Sequence, residues 1–386
     1  MEAHGAITIQ VIPAPKANVP TYALAWIMEN GERKASAGFQ RVRPDGLASF
    51  SLLTSHTYRV GAFTDENGNR AYDAGEPLAF VKDVKPLRLD DPNVQPKVWQ
   101  LTLRRDYGLP PGTVIAVPKE DESLGSKLNV ALGDVVSLDE KRFAEKEGSG
   151  GLWRPLDFLT GNSLGIYFLE PYDPERIPVL FVYGIGGSPQ DMRYLMEHFD
   201  KKRYQCWFFN YPSGMRLERV ARAMATGLKV LKQRYGFQKC YVVAHSMGGL
   251  VAHAAIDSGA KSAGTNFIPK FVTISTPWGG HQAAASGIRH LKKPVPSWLD
   301  VAPGSDFLLA MYAAPLPKGT TYYLIYGSKE GGPMWLKGEN DGVVTVASET
   351  DPRIKRESSA ITHYHYGHVE ILNQSDTLAK VLDSLR

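Results

Sequence analysis

Cysteine is nearly missing from this chain: Cys206 and Cys240 are the only two among 386 residues. So low a count excludes a disulfide-dense scaffold. No apolar run reaches the roughly 18 residues a membrane-spanning helix needs, so no transmembrane segment is expected. An excess of one charge is also lacking. The 44 basic and 40 acidic residues are mixed along the chain and leave a formal charge of only +4. No basic block with interleaved aromatics occurs, which argues against a nucleic-acid partner. Internal repeats and low-complexity segments are absent. The opening MEAHGAITIQ lacks a charged stretch followed by an apolar one, so it does not read as a signal peptide. The compartment stays open, and a secreted, periplasmic or cell-surface protein with its signal removed fits as well as any. What is present is a 43% hydrophobic content, enough for a sizeable core, in a chain long enough for two domains.

The pattern changes along the chain. Residues 1–106 hold short β-type runs such as YRVGAF (58–63) and LAFV (78–81), separated by Gly, Asn, Asp and Pro turns. That spacing predicts a small β-sandwich accessory domain. Residues 107–162 mix Pro, Gly and charge with one strand-like run, GTVIAVP, and read as a connector packing on both domains. From 163 to 386, runs rich in Val, Ile, Phe and Tyr alternate with helical stretches. The strand candidates are 163–170, 178–183, 204–210, 239–244, 269–275 and 321–326. One helix carries Leu217, Val220, Met224, Leu228, Leu231 and Tyr235 at spacings of three and four, with Gly236 placed to end it. Alternation of this kind predicts an α/β domain with a mainly parallel sheet, and chemistry in the loops after the strands.

Two such loops stand out. The run 240–244 is followed directly by His245-Ser246-Met247-Gly248-Gly249 and then by an apolar helix. A strand, a sharp turn bearing Ser and a helix lift a hydroxyl into a cleft, and the small neighbours fit a crowded turn. Ser246 is therefore the candidate nucleophile. The second loop, Tyr183-Gly184-Ile185-Gly186-Gly187, ends an earlier strand. Its glycines would leave backbone amides facing the cleft, as an oxyanion hole requires. The amides of Ile185 and Met247 are the candidate donors. A phosphate loop is disfavoured because no Lys-Ser/Thr follows the glycines.

A Ser hydroxyl needs a His to take its proton and an acid to hold that His. After the strand 321–326 the acids in range are Glu339, Asp341 and Asp351, and the bases are His363, His365 and His368. Cys206 and Cys240 fall on strands expected to flank the strand 178–183, too far apart for a disulfide. In residues 1–106, Asp65, Asn67, Asn69, Asp73 and Glu76 fall at positions 1, 3, 5, 9 and 12 of a twelve-residue loop. Those are the oxygen-ligand positions of an EF-hand, so the loop is a candidate structural calcium site. Arg70 occupies the place of the usual Gly, no helix flanks the loop, and a polar hairpin turn is the competing reading.

The motifs AHSMGG at 244–249, YGIGG at 183–187 and STPWGG at 275–280 resemble the bacterial lipases and esterases of the α/β-hydrolase fold. The resemblance covers about 163–386. It implies that NDGVV (340–344) is the acid loop, with Asp341 as the acid, and that GHVEIL (367–372) carries the base, His368. Tyr183 stands where the family has a His that supports the oxyanion loop. The first hundred residues resemble the small Ig- or transthyretin-like domains of many bacterial surface proteins. The expected activity is carboxylic ester hydrolysis on a small or lipid-like substrate, with no required cofactor. Thioesterase, amidase or acyltransferase chemistry on the same three residues is the first alternative, and a non-catalytic surface binding protein the second. The stretch from 281 to about 318 is longer than one crossover needs and is expected to form a cap insert. Tyr183, Trp278, Trp298 and Phe307 are the expected substrate-binding residues.

Overall fold

A computed structural model describes residues 4–386 apart from 17, 54, 83, 84, 90–97, 108, 110–112, 118–129, 162, 163, 264, 265, 292, 334 and 335. The chain divides into two compact units, Met1–Val130 and Ala131–Arg386. The stretch expected as a connector is thereby split. Tyr107, Leu109, Ile115 and Val117 pack within the first unit, whereas residues from Ala131 onward belong to the second. Within GTVIAVP, residues 113–117 form no strand, only a single bridge from Ala116 to Ala71; Gly112 and Pro118 lie outside the described residues.

The first unit is β-rich. Strands β1 (His4–Val11), β4 (Leu47–Leu53) and β8 (Val98–Leu101) form one sheet in the order β4-β1-β8. Strands β2 (Thr21–Glu29), β3 (Glu32–Arg41), β5 (Thr57–Thr64) and β6 (Leu78–Phe80) form a second, antiparallel sheet in the order β3-β2-β5-β6, with β7 (Leu87–Arg88) also paired to β5. Alternation along β2 explains the arrangement. Ala23 and Ala25 point into a core shared with Ile7, Ile9 and Val11 of β1. Tyr22, Leu24 and Trp26 point the other way, into a second core with Phe63, Phe80 and Ile115. The second sheet is thus covered on both faces.

In the second unit, eight strands form one sheet among the described residues. They are β9 (Ala131–Val135), β10 (Gly165–Phe168), β11 (Ile177–Val182), β12 (Tyr204–Asn210), β13 (Tyr241–His245), β14 (Lys270–Ile274), β15 (Thr321–Gly327) and β16 (Ser358–Tyr364). Their order is β16-β15-β14-β13-β11-β12-β10-β9, parallel throughout except for the β10–β12 pair. The near-continuous apolar runs reflect burial on both faces: every residue of β12 and β13 is buried. Because β11 separates β12 from β13, Cys206 on β12 and Cys240 just before β13 lie two strands apart, and both are free.

Helices connect these strands. The helix Leu217–Tyr235 buries Leu217, Val220, Met224, Leu228 and Leu231 along one stripe and ends at Gly236 with φ 71°. Ser188 caps the turn Pro189–Met192 through a reciprocal bond with Asp191. The segment expected as a cap folds into three short helices, Gln282–His290, Pro296–Val301 and Asp306–Tyr312. Among the described residues no helix is long and apolar enough to cross a membrane.

Candidate active site

The parallel sheet brings the ends of β11, β13, β15 and β16 to one side, and the candidate residues follow those ends. Ser246 comes directly after β13 and adopts φ 54°, a left-handed conformation that non-glycine residues rarely take. The tight turn is possible because Gly248 and, in the facing loop, Gly184 lack side chains. A Cβ on Gly248 would lie 2.4 Å from the carbonyl oxygens of Val182 and Tyr183. A Cβ on Gly184, in the facing loop, would lie 2.7 Å from the Cβ of Ser246. These contacts are too close for any larger residue, so the glycines are required by packing.

Ser246 Oγ donates to His368 Nε2 at 2.9 Å, and His368 Nδ1 donates to Asp341 Oδ2 at 2.5 Å. Asp341 is fully buried, and its other oxygen accepts from the amides of Val343 (2.9 Å) and Val344 (2.7 Å). Burial works to raise the Asp341 carboxyl. The hydrogen bond and charge of His368, with the two amides, outweigh it and hold the group below its ordinary range. The backbone amide of His368 donates to the Asp341 carbonyl at 2.9 Å, which ties the two loops together.

His245 completes the support. Its Nε2 donates to the His368 carbonyl at 2.8 Å. Burial, joined by the charge of His368, pushes the His245 ring down to about 3, so it stays neutral with the proton on Nε2. In the loop after β11, Gly186 N donates to Ser213 Oγ (2.9 Å) and Gly187 N to the Gly184 carbonyl (3.3 Å). Among the described residues no protein acceptor takes the amides of Ile185 or Met247.

The other candidates go elsewhere. His363 stacks on Tyr326 at 4.7 Å and hydrogen-bonds Ser328 Oγ at 2.7 Å, and His365 is exposed. Glu339 is exposed, and Asp351 pairs with Arg353 at 2.8 Å. Tyr183 and Trp278, both expected at the substrate, are instead in the core. Tyr183 stacks on Tyr211 at 4.6 Å, donates to its carbonyl and accepts from its amide, which fixes the start of the glycine loop. Trp278 packs between His253 and Tyr322, and its carbonyl accepts from Tyr312. Large aromatic rings at strand ends gain more from burial here than from lining a cleft.

Trp298 does line a groove. It is an open groove of about 1260 Å³ between the helix Gln282–His290 and residues 337–339 and 345–347. A smaller neighbour of about 230 Å³ lies between Gly279–Gln282 and Val343–Thr345. Neither has Ser246 or His368 on its wall; both adjoin the Asp341 loop. Phe307 is half-buried and lines neither. Asp300 holds this insert down. It is buried, pairs with Arg216 (2.7 Å) and accepts the Leu217 amide (2.7 Å) at the start of a helix.

In the first unit the acidic loop is organised around its own backbone. Asp65 accepts from the amides of Gly68, Asn69 and Arg70, and Glu76 accepts from those of Glu66 and Asp73. Asp73 Oδ2 accepts from the side-chain amides of Asn67 and Asn69. Asp65, Asp73 and Glu76 do not converge on one point; among the described residues the one cluster of metal-ligating type is Asp341, Glu349 and His368. The turn geometry accounts for the loop's polar residues.

Reading the sequence missed three features near Ser246. His281 lies close enough to His368 and Asp341 to feel their charges, and burial with the His368 charge lowers its pKa. The helix Glu145–Trp153 lies against the glycine loop: a Cβ on Gly148 would lie 2.2 Å from the Gly187 carbonyl. Gly148 read as connector, and only the close approach reveals its role. Glu349 carried no signal at all.

A family model described as the alpha/beta hydrolase fold matches residues 177–299, which hold the glycine loop, Ser246 and Trp278 but not Asp341 or His368. Among solved structures, the mature form of a Bacillus licheniformis lipase is 22% identical, with 57% of this chain and 97% of that one covered at a TM-score of 0.48. The phospholipase PlaB from Legionella pneumophila is 14% identical, covering 55% of this chain and 59% of that one at 0.44. Lipase B from Aspergillus fumigatus is 12% identical, covering 57% and 55% at 0.42. No curated protein matches the chain. The second unit has the alpha/beta hydrolase fold, built on a large, mostly parallel sheet, and a separate β-rich region precedes it.

Proposed function

We propose that the chain is a serine hydrolase that cleaves carboxylic esters through an acyl-enzyme. The observation that supports this most is the unbroken hydrogen-bonded line from Ser246 Oγ through His368 to the buried Asp341. In this reading Ser246 attacks the ester carbonyl while His368 Nε2 takes its proton. Asp341 holds the imidazole in the tautomer that leaves Nε2 free to accept. The amides of Ile185 and Met247 stabilise the oxyanion. His368 then protonates the leaving alcohol, and a water activated by the same His releases the acid. The chemistry needs no metal or organic cofactor.

Labelling with a fluorophosphonate tests the nucleophile: the protein should be modified stoichiometrically and Ser246→Ala should not. Paired ester, thioester and amide substrates then separate ester hydrolysis from the other reactions the same residues support. An unlabelled protein, or labelling that survives Ser246→Ala, would overturn the proposal.

A further inference from the structure

Past Asp341 the chain makes a single helical turn, Val346–Glu349, and buries a second carboxyl at its end. Glu349 is 1% exposed. Its carboxyl joins Asp341 and His368 in a cluster whose ligating atoms all lie within 4.8 Å of one another. Among the described residues neither Glu349 oxygen nor Ser275 Oγ has a partner with good hydrogen-bond geometry, although the Ser275 hydroxyl and the Gly327 backbone lie close enough to Glu349 to favour its charged form weakly. The groups acting on it are Asp341, Ser275 and the Gly327 backbone, with no cation among them. The titratable groups facing it are Asp341, His368 and, from β15, Tyr326.

Two buried carboxyls this close cannot both carry a charge without a cation between them. Asp341 has three donors, from His368, Val343 and Val344, so the charge belongs there. Glu349 has no well-formed donor, the weak approach of Ser275 and the Gly327 backbone does not offset its burial beside Asp341, and it keeps the proton. Burial and then the Asp341 charge raise its pKa well above the carboxylate range. A protonated carboxyl is a donor, and Asp341 is the acceptor beside it.

We infer that Glu349 is a positioning acid behind the Ser246–His368–Asp341 line, held neutral and donating its proton toward the Asp341 carboxylate. The inference rests on reading that line as catalytic. The donor restrains Asp341 and draws off part of its charge. His368 is then less strongly held as an imidazolium and stays ready to accept the serine proton. Ionisation of Glu349 would place a second negative charge beside His368 and reverse this.

Two substitutions separate this role from simple filling of space. Glu349→Gln keeps the shape and an N–H donor, whereas Glu349→Met keeps the length and removes the donor. On a short p-nitrophenyl ester, Glu349→Gln should stay within about threefold of the parent kcat, with the acid limb of kcat/KM unmoved. Glu349→Met should fold but lose about tenfold or more in kcat at constant KM, the loss expected for one donor to a charged acceptor. Its acid limb, which reports the base in the free enzyme, should move to higher pH. A merely structural residue would move the melting temperature and leave the limb in place. Parent-like kcat and limb in Glu349→Met, or equal damage in both variants, overturns the inference. The infrared spectrum gives an arm that needs neither variant to be active. At pH 7 the unmodified protein should show a neutral-carboxyl stretch that persists in Asp191→Asn, the other carboxyl raised by burial. Its absence also overturns the inference. If the unmodified protein lacks Ser246-dependent turnover, the proposed function fails, and the infrared arm still decides whether Glu349 is neutral.

Discussion

Ser246 and Ser275 make an instructive pair. Each follows one of two adjacent parallel strands, β13 and β14, each is buried, and each adopts a left-handed backbone, with φ 54° and 51°. Their surroundings differ. Gly248 and Gly249 follow Ser246, so a helix starts at once and the hydroxyl meets His368. Thr276 and Pro277 follow Ser275, the chain leads into the insert, and the hydroxyl lies near Glu349 without a well-formed hydrogen bond. Backbone strain at a strand end therefore does not by itself mark a nucleophile. The partner of the hydroxyl does.

The largest test of this difference is to delete each hydroxyl. Ser246→Ala should lower kcat by about three powers of ten or more with the fold unchanged by circular dichroism. Ser275→Ala should stay within about tenfold, since its hydroxyl makes no well-formed hydrogen bond to lose. If the two losses are equal, the distinction collapses. Asp341→Asn and His368→Ala should each lower kcat by about three powers of ten or more, the His368 loss lying nearer to that of Ser246. His363→Ala should be near normal, and loss there instead would move the base.

Acid titration probes what surrounds Ser246 alone. His245 has a folded pKa of about 3 against an ordinary 6.5. The unfolded chain binds the extra proton across that window, so folding stability must fall as pH drops from about 6.5 toward about 3. Asp341, also held low, adds to the loss on the acid side. Urea denaturation as a function of pH should show this slope, and His245→Gln should flatten it. Glu349 works with the opposite sign: its folded pKa is raised, so its contribution is present at low pH and is lost as pH rises through that value.

Smaller effects lie on the Ser275 side. Asp300→Asn removes the charged acceptor shared by Arg216 and the Leu217 amide and should cost about 2 kcal/mol in chemical denaturation. Ser275→Gly relieves a left-handed residue but loosens the unfolded chain, so the net change should be within about 1 kcal/mol.

Much of the second unit was legible in its sequence. Apolar runs covered on both faces mark buried parallel strands, and six of its eight strands fall within a residue or two of the runs identified from pattern alone. The limits of the first domain were harder. Tyr107, Leu109 and Ile115 read as connector because a segment covering a sheet face has no periodicity of its own. The strand β9 read likewise, being short and pairing only at an edge. Tyr183 and Trp278 were misplaced for a related reason: an aromatic beside a glycine turn looks the same in sequence whether it lines a cleft or plugs a core.

The sequence alone determined the alternation of strand and helix, the two glycine-bearing turns and the residue types able to act as nucleophile, acid and base. These follow from local rules: periodicity, turn chemistry and the small residues that a crowded turn demands. The resemblance implied His368 as the base, and the tertiary structure brings that histidine, rather than His363 or His365, to Ser246. His363, His365 and His368 lie within a few residues of one another, and the register of β16 against β15 sends His363 to Tyr326 and His368 to the end of β13. The tertiary structure also set Glu349 beside Asp341, since a short helix buried one carboxyl against another. Charge state in such a place depends on which groups share the burial, and that is a property of the packed chain rather than of any segment of it.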